Sequence, residues 1–125
     1  MILDTGPGFP ECSSRMVLDP LPHSGHPIDT EFASALHGAI SANPRAHDGA
    51  IMCGRRNDAG AYEVTGWSFR LHPPPVDRPQ VPNKGSGFNS SLAMSRVEAV
   101  DRVLFWSTGA GWCFEGGSIM GLIRN

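Results

Sequence analysis

At 125 residues the chain has the length of one domain, which buries about two-thirds of the surface its unfolded form exposes and has no material for a second core. A hydrophobic fraction of 40% excludes wholesale disorder, while 15 glycines and 11 prolines predict long irregular connections around a compact core. A formal charge of −2, from 10 Lys plus Arg against 12 acids, excludes the broad basic field that collects duplex nucleic acid, so any nucleotide must be held by a local site.

Residues 1–28 carry Pro7, Pro10, Pro20, Pro22 and Pro27 among Gly and Ser, which repeatedly denies the backbone helix and ladder hydrogen bonds. They read as an extended or loosely packed arm ahead of a domain spanning 29–125. Met16-Val17-Leu18 is its candidate edge strand, stopped by Pro20. The first residues lack a basic start and an apolar run, and no stretch reaches the roughly 18 apolar residues of a membrane span. The expectation is a cytoplasmic protein with no membrane partner. Cys12, Cys53 and Cys113 are odd in number and lack CxxC spacing, so they read as small buried residues in a reducing compartment. His23 and His26 have no further ligands at recognisable spacing and read as a solvated loop rather than a zinc site.

Asp29 or Thr30 can cap a helix whose Phe32, Leu36 and Ile40 recur at i+4, and Asn43-Pro44 ends it because the residue before proline is pushed out of the helical region. Ala50 to Gly54 is a short apolar strand, and Tyr62 to Leu71 holds a second. Turn residues between them make an antiparallel hairpin, with Arg55 and Arg56 at its solvated tip or on a phosphate. Residues 72–84 form a proline-rich loop that cannot be a central strand. From Ser86 to about Val100, Leu92, Met94, Val97 and Val100 show helical spacing. Val103-Leu104-Phe105-Trp106 reads as a strand buried on both faces, hence the centre of the sheet. Trp112-Cys113-Phe114 and Ser118-Ile119-Met120 are the strands of a final glycine-punctuated hairpin. The predicted fold is α/β, a mixed β-sheet flanked by helices.

Three segments at spaced positions carry the functional signal: His47-Asp48-Gly49-Ala50 before the first strand of the hairpin, Gly85-Ser86-Gly87-Phe88-Asn89 at a helix start, and Ser107-Thr108-Gly109 at a strand end. Together, over residues 30–122, they resemble the nucleotide pocket of the diadenylate cyclase (DAC) domain superfamily, and in particular its divergent sensor domains. The family has an Asp-Gly-Ala triplet, a Gly-Thr-Arg-His-Arg segment and a Ser-Glu-Glu-Thr-Gly segment in that order. This chain keeps the first. It places Gly87, Phe88 and Asn89 where Arg-His-Arg would stand, and loses the acids of the third.

The resemblance implies a pocket that binds a nucleotide without making one. Loss of fixed cations removes electrostatic stabilisation of the departing pyrophosphate, a contribution of about 3–4 kcal/mol per donor in well-studied enzymes. The implied nucleotide-binding residues are His47, Asp48, Gly49, Ala50, Trp67, Ser68, Gly85, Ser86, Gly87, Phe88, Asn89, Ser107 and Thr108. Asp48 is the implied metal ligand and, in an active enzyme, the catalytic residue. Without its acidic companion, Mg or Mn would bind weakly or arrive with the nucleotide. Each position also has a plain structural reading: an Asx turn at Asp48 with positive φ at Gly49, a core place for Phe88 and Trp67, a glycine hairpin after Ser107. The implied function is an inactive sensor of a nucleotide second messenger, such as a cyclic dinucleotide in bacterial signalling, passing occupancy to an effector protein or fused domain. The family's face-to-face pairing makes a homodimer one option. The alternatives are a divergent cyclase making cyclic di-AMP from ATP, with Arg55, Arg56 or Arg70 replacing the lost cations, and a ligand-free protein-interaction module.

Overall fold

The computed structural model describes residues 1–75, 84–107 and 109–124. Seven strands, β1 (Ile2–Thr5), β2 (Ser13–Arg15), β3 (Ala50–Arg55), β4 (Glu63–Leu71), β5 (Val100–Ser107), β6 (Ala110–Glu115) and β7 (Ser118–Arg124), form one sheet. Its spatial order is β2-β4-β3-β1-β5-β6-β7. β1 and β3 run parallel; the other neighbours are antiparallel. Two helices, α1 (Phe32–Ala42) and α2 (Ser86–Met94), complete a mixed α/β fold. No helix among the described residues is long and apolar enough to cross a membrane.

The sheet splits the core because successive strand side chains point to opposite faces. Ile2 and Met52 join Phe69, Phe88, Met94, Val103 and Phe114 in one cluster, under α2. Their neighbours Leu3, Ile51 and Cys53 join Val64, Trp67 and Ala39 in the other, under α1. Helices therefore cover opposite faces. Burial pushes the Cys53 thiol up to about 12, which leaves it an inert packing group.

α1 lies within its predicted span, but its N-cap is Glu31 without a side-chain cap, so neither Asp29 nor Thr30 caps it. Asp29 Oδ1 accepts from Glu31 N at 2.9 Å before the helix, and Phe32, Leu36 and Ile40 pack on the core as the i+4 spacing requires. Asn43 ends it in extended geometry, then uses Oδ1 to accept from Arg45 N at 3.1 Å, capping a 3-10 turn over Pro44–His47. The β3–β4 hairpin and the β6–β7 hairpin also stand where predicted. Gly116 and Gly117, both at positive φ, form the two-residue turn between β6 and β7.

Four expectations are corrected. The segment 1–28 is not a loose arm, because β1 lies at the middle of the sheet and β2 at its edge. The edge strand is Ser13–Arg15, paired with Phe69–Leu71, rather than Met16-Val17-Leu18; Val17 is 98% exposed. β5 is not the doubly buried centre. Only Val103 of its residues is fully buried and Trp106 is 58% exposed, since the α1-side core contains no described residue of β5, β6 or β7. Finally, α2 stops at Met94 instead of running toward Val100, which opens β5. Ser95 breaks the run: its hydroxyl donates to Leu92 O at 2.6 Å and accepts from Gly117 N at 2.9 Å, tying the helix end to the last hairpin. Residues 76–83 of the proline-rich loop lie outside the described residues.

Candidate functional site

The Asp-Gly-Ala turn is built from below by β4. Between Ala50↔Phe69 and Met52↔Gly66 the ladder gains a residue on β4, a bulge that holds Ser68 at φ 56°. From there the buried Ser68 hydroxyl shares its proton between the carbonyls of Asp48 at 2.7 Å and Arg45 at 3.1 Å. The turn then passes through Gly49 at φ 78° and enters β3 at Ala50. A Cβ on Gly49 would lie 2.7 Å from both the Phe69 carbonyl oxygen and Met16 Cε. Gly49 is therefore required by the packing of β4 and the Met16 side chain, independently of any ligand.

The second segment is positioned by β5. Gly85, at φ 101°, bends the chain into α2 and its carbonyl accepts from Asn89 N at 3.0 Å. A Cβ on Gly87 would lie 2.8 Å from Phe105 Cε2, so the glycine lets the first turn of α2 settle against β5.

These two turns meet. Gly49 and Ala50, with Ser86, Gly87, Ser90 and Ser91 across from them, line a cleft of about 350 Å³ on the α2 face, over the amino ends of β1 and β3. Met16, Phe69, Val103 and Phe105 supply apolar walls, and Arg70 is the cation in the lining. No acidic side chain lines it among the described residues. A helix start adds unpaired N–H groups and the positive end of the α2 dipole, so the cleft can hold an anion beside an apolar body. Its volume lies at the lower end of the about 300–1,000 Å³ typical of small-ligand sites.

The other predicted site residues go elsewhere. His47 and Asp48 are 64% and 57% exposed and pair with each other, His47 Nε2 to Asp48 Oδ1 at 3.3 Å, while His47 Nδ1 contacts the Pro44 carbonyl. The Asp48 side chain does not line the cleft, and no group of three or more metal-ligating side chains occurs among the described residues. Trp67 is buried in the α1-side core with Nε1 donating to His23 O at 2.9 Å. Phe88 is buried with its ring edge-on to Trp112 and Phe114, at 5.1 and 5.0 Å. Asn89 and Ser107 are exposed and outside the cleft lining. Thr108 lies outside the described residues. For Trp67 and Phe88 the structural reading as core holds, and Ser68 clamps the turn.

Sequence reasoning gave Arg70 only a role as a replacement cation in a working cyclase and did not place Phe69 or Met16 at the site. The Ala50↔Phe69 register, invisible without the bulge, is what carries Phe69 and Arg70 to the turn. A larger cleft, about 810 Å³, opens at the other ends of β1 and β3; Arg55 and Arg56, expected at a solvated tip or on a phosphate, line it, and no residue of the three motif segments does.

No family model, curated protein or solved structure matches the chain. The resemblance to diadenylate cyclase domains rests on its motifs.

Proposed function

We propose that the cleft between the Gly49-Ala50 turn and the start of α2 binds a nucleotide second messenger, and that the protein is a sensor module of DAC-like kind rather than an enzyme. The observation that carries this reading is that two segments some 35 residues apart, singled out on sequence alone, line one cleft together with the Arg70 cation. Backbone at Gly49 and Ala50 offers a flat approach for a base, while Ser86, the α2 N-terminus and Arg70 offer a phosphate site. The volume suits one nucleotide unit. A cyclic dinucleotide would extend its second unit beyond the cleft, where a partner copy or effector could meet it. Asp48 is turned to the surface against His47, and among the described residues no carboxylate lines the cleft for metal-assisted cyclisation.

The test is a thermal-shift panel on the purified chain with ATP, GTP, cyclic di-AMP, cyclic di-GMP and mixed cyclic dinucleotides, with and without Mg²⁺. Selective stabilisation should disappear in Ser86→Asp, which favours the helix start yet repels an anion, and weaken about tenfold in Arg70→Gln. Gly49→Leu is uninformative here because its side chain would strike Phe69. A flat panel on well-folded protein removes this reading in favour of an interaction module. Pyrophosphate release from ATP, lost in Asp48→Asn, would establish a cyclase instead.

A further inference from the structure

β1 and β3 are adjacent parallel strands, and the cleft of about 810 Å³ opens beyond their carboxyl ends on the α2 face. Ligands of α/β folds bind in this position, because loops diverge there and leave the strand-end groups uncovered. Asp4 lines it at 2% exposure, and its Oδ2 has no hydrogen-bond partner among the described residues; nor does Thr65 Oγ1. Between them lies Gly54, whose missing Cβ would stand 3.2 Å from Asp4 Oδ1 and 3.6 Å from Thr65 Oγ1. An unpaired buried carboxyl costs stability, so a hydrophobic or amide residue here would give a firmer fold. Orphaned buried groups of this kind recur at functional sites. Burial first, and then the charge of Asp101, pushes the Asp4 carboxyl up to about 7, so it ionises around neutrality.

The rim is asymmetric. Arg55 is already engaged: its Nε donates to Thr5 Oγ1 at 2.8 Å, its guanidinium lies 4.5 Å from the Tyr62 ring, and Thr5 and Tyr62 both donate to Asp101. Arg56 is exposed, lines the same cleft and forms no ion pair among the described residues. Phe9, held 4.5 Å from the Phe69 ring, closes an apolar wall. The interior thus offers paired oxygen acceptors over a glycine, and the mouth offers a guanidinium with no ion-pair partner among the described residues.

The geometry points to a second ligand site, independent of the nucleotide cleft, in which Asp4 and Thr65 receive the vicinal hydroxyls of a small phosphorylated sugar and Arg56 binds its phosphate. A carboxylate at a strand end accepts two neighbouring hydroxyls in the same way that dinucleotide-binding folds hold a ribose. Arg56 supplies the forked donor that phosphate geometry favours.

Ribose 5-phosphate is the probe, with ribose and inorganic phosphate as separate arms, titrated at pH 8 into the full chain and followed by amide NMR shifts. Ribose 5-phosphate should move the amides of Gly6, Gly54, Arg56 and Thr65, and ribose and phosphate alone should each bind at least tenfold more weakly. Asp4→Asn should weaken binding at least tenfold while raising the melting temperature, and Arg56→Gln should weaken it without changing the melting temperature. Thr65→Val, isosteric and partly exposed, carries the same expectation for binding should Asp4→Asn fail to fold. Shifts confined to Gly49, Ala50, Ser86 and Gly87, an absence of shifts, or undiminished binding in both Asp4→Asn and Thr65→Val would each overturn the site.

Discussion

Ser68 and Gly49 show how single residues hold the candidate nucleotide site without touching a ligand. Ser68 sits in left-handed geometry, and its hydroxyl joins β4 to the carbonyls that precede Gly49. Ser68→Ala should lose about 1 kcal/mol or more, because the hydrogen bond goes and the strained φ stays, while Ser68→Gly should lose less by relieving φ. Urea melts of the pair measure the difference, and an equal loss would show that the hydroxyl contributes alone. Gly49→Ala meets both a forbidden φ and the Phe69 carbonyl, so it should cost about 1–3 kcal/mol in the same assay. Asp4 adds a pH dependence. Its carboxyl moves from 3.8 in the unfolded chain to about 7 in the fold, so between those values the unfolded state sheds a proton that the native state keeps. Stability should therefore fall as pH rises from about 4 to about 7, by up to about 1.4 kcal/mol per unit. Arg55 and Glu63 line the same cleft, and the charge of Asp101 acts on Asp4. Chemical denaturation of Asp4→Asn against the wild type across this range isolates the Asp4 part: the gap should widen with pH, and a constant gap would refute it.

At the scale of elements, hydrophobic period and punctuation predicted α1, the β3–β4 hairpin and the last hairpin because each is local. A proline after Asn43 or two glycines between alternating strands acts over a few residues and needs no distant partner. β1 was not legible for the complementary reason. Four residues, Ile-Leu-Asp-Thr, are too short for a periodic signal, and they form a strand only because β3 and β5 pair on either side. The prolines that follow were real, but they shape the connection to β2 rather than excluding the segment from the sheet. Ile2→Ala should accordingly cost about 2–5 kcal/mol, as expected of a fully buried side chain, whereas Val17→Ala should change stability by no more than about 0.5 kcal/mol. Equal effects in thermal melts would restore the loose-arm description. The overextended α2 has a similar cause: its apolar spacing continues past Met94, but Ser95 is bound to the β6–β7 turn and Ala99 adopts positive φ, so tertiary contacts end the helix.

Across the whole molecule the two faces of the sheet divide the work. α1 packs over β3, β4 and part of β1, whereas α2 lies over β5 and leaves a cleft at each end of the parallel β1–β3 pair. A ligand that binds only the folded form at one hundred times its dissociation constant adds about 2.7 kcal/mol, so occupancy of either cleft is measurable as stabilisation of the single domain. Simultaneous saturation of both clefts should give the sum of the separate gains, and a shortfall in denaturation free energy would reveal coupling between them. The sequence by itself determined the α/β class, the positions of most elements and the pairing of Gly49-Ala50 with Ser86-Gly87 as one candidate site, since glycine, proline and hydrophobic period act over short distances. Only the tertiary structure decided that β1 is central, that Phe88 and Trp67 are core, that Ser68 is a clamp, that Asp48 faces solvent, and that Asp4 and Thr65 meet over Gly54. Those outcomes depend on strand register, on one bulge and on which face each helix covers, and such relations join residues far apart in the chain.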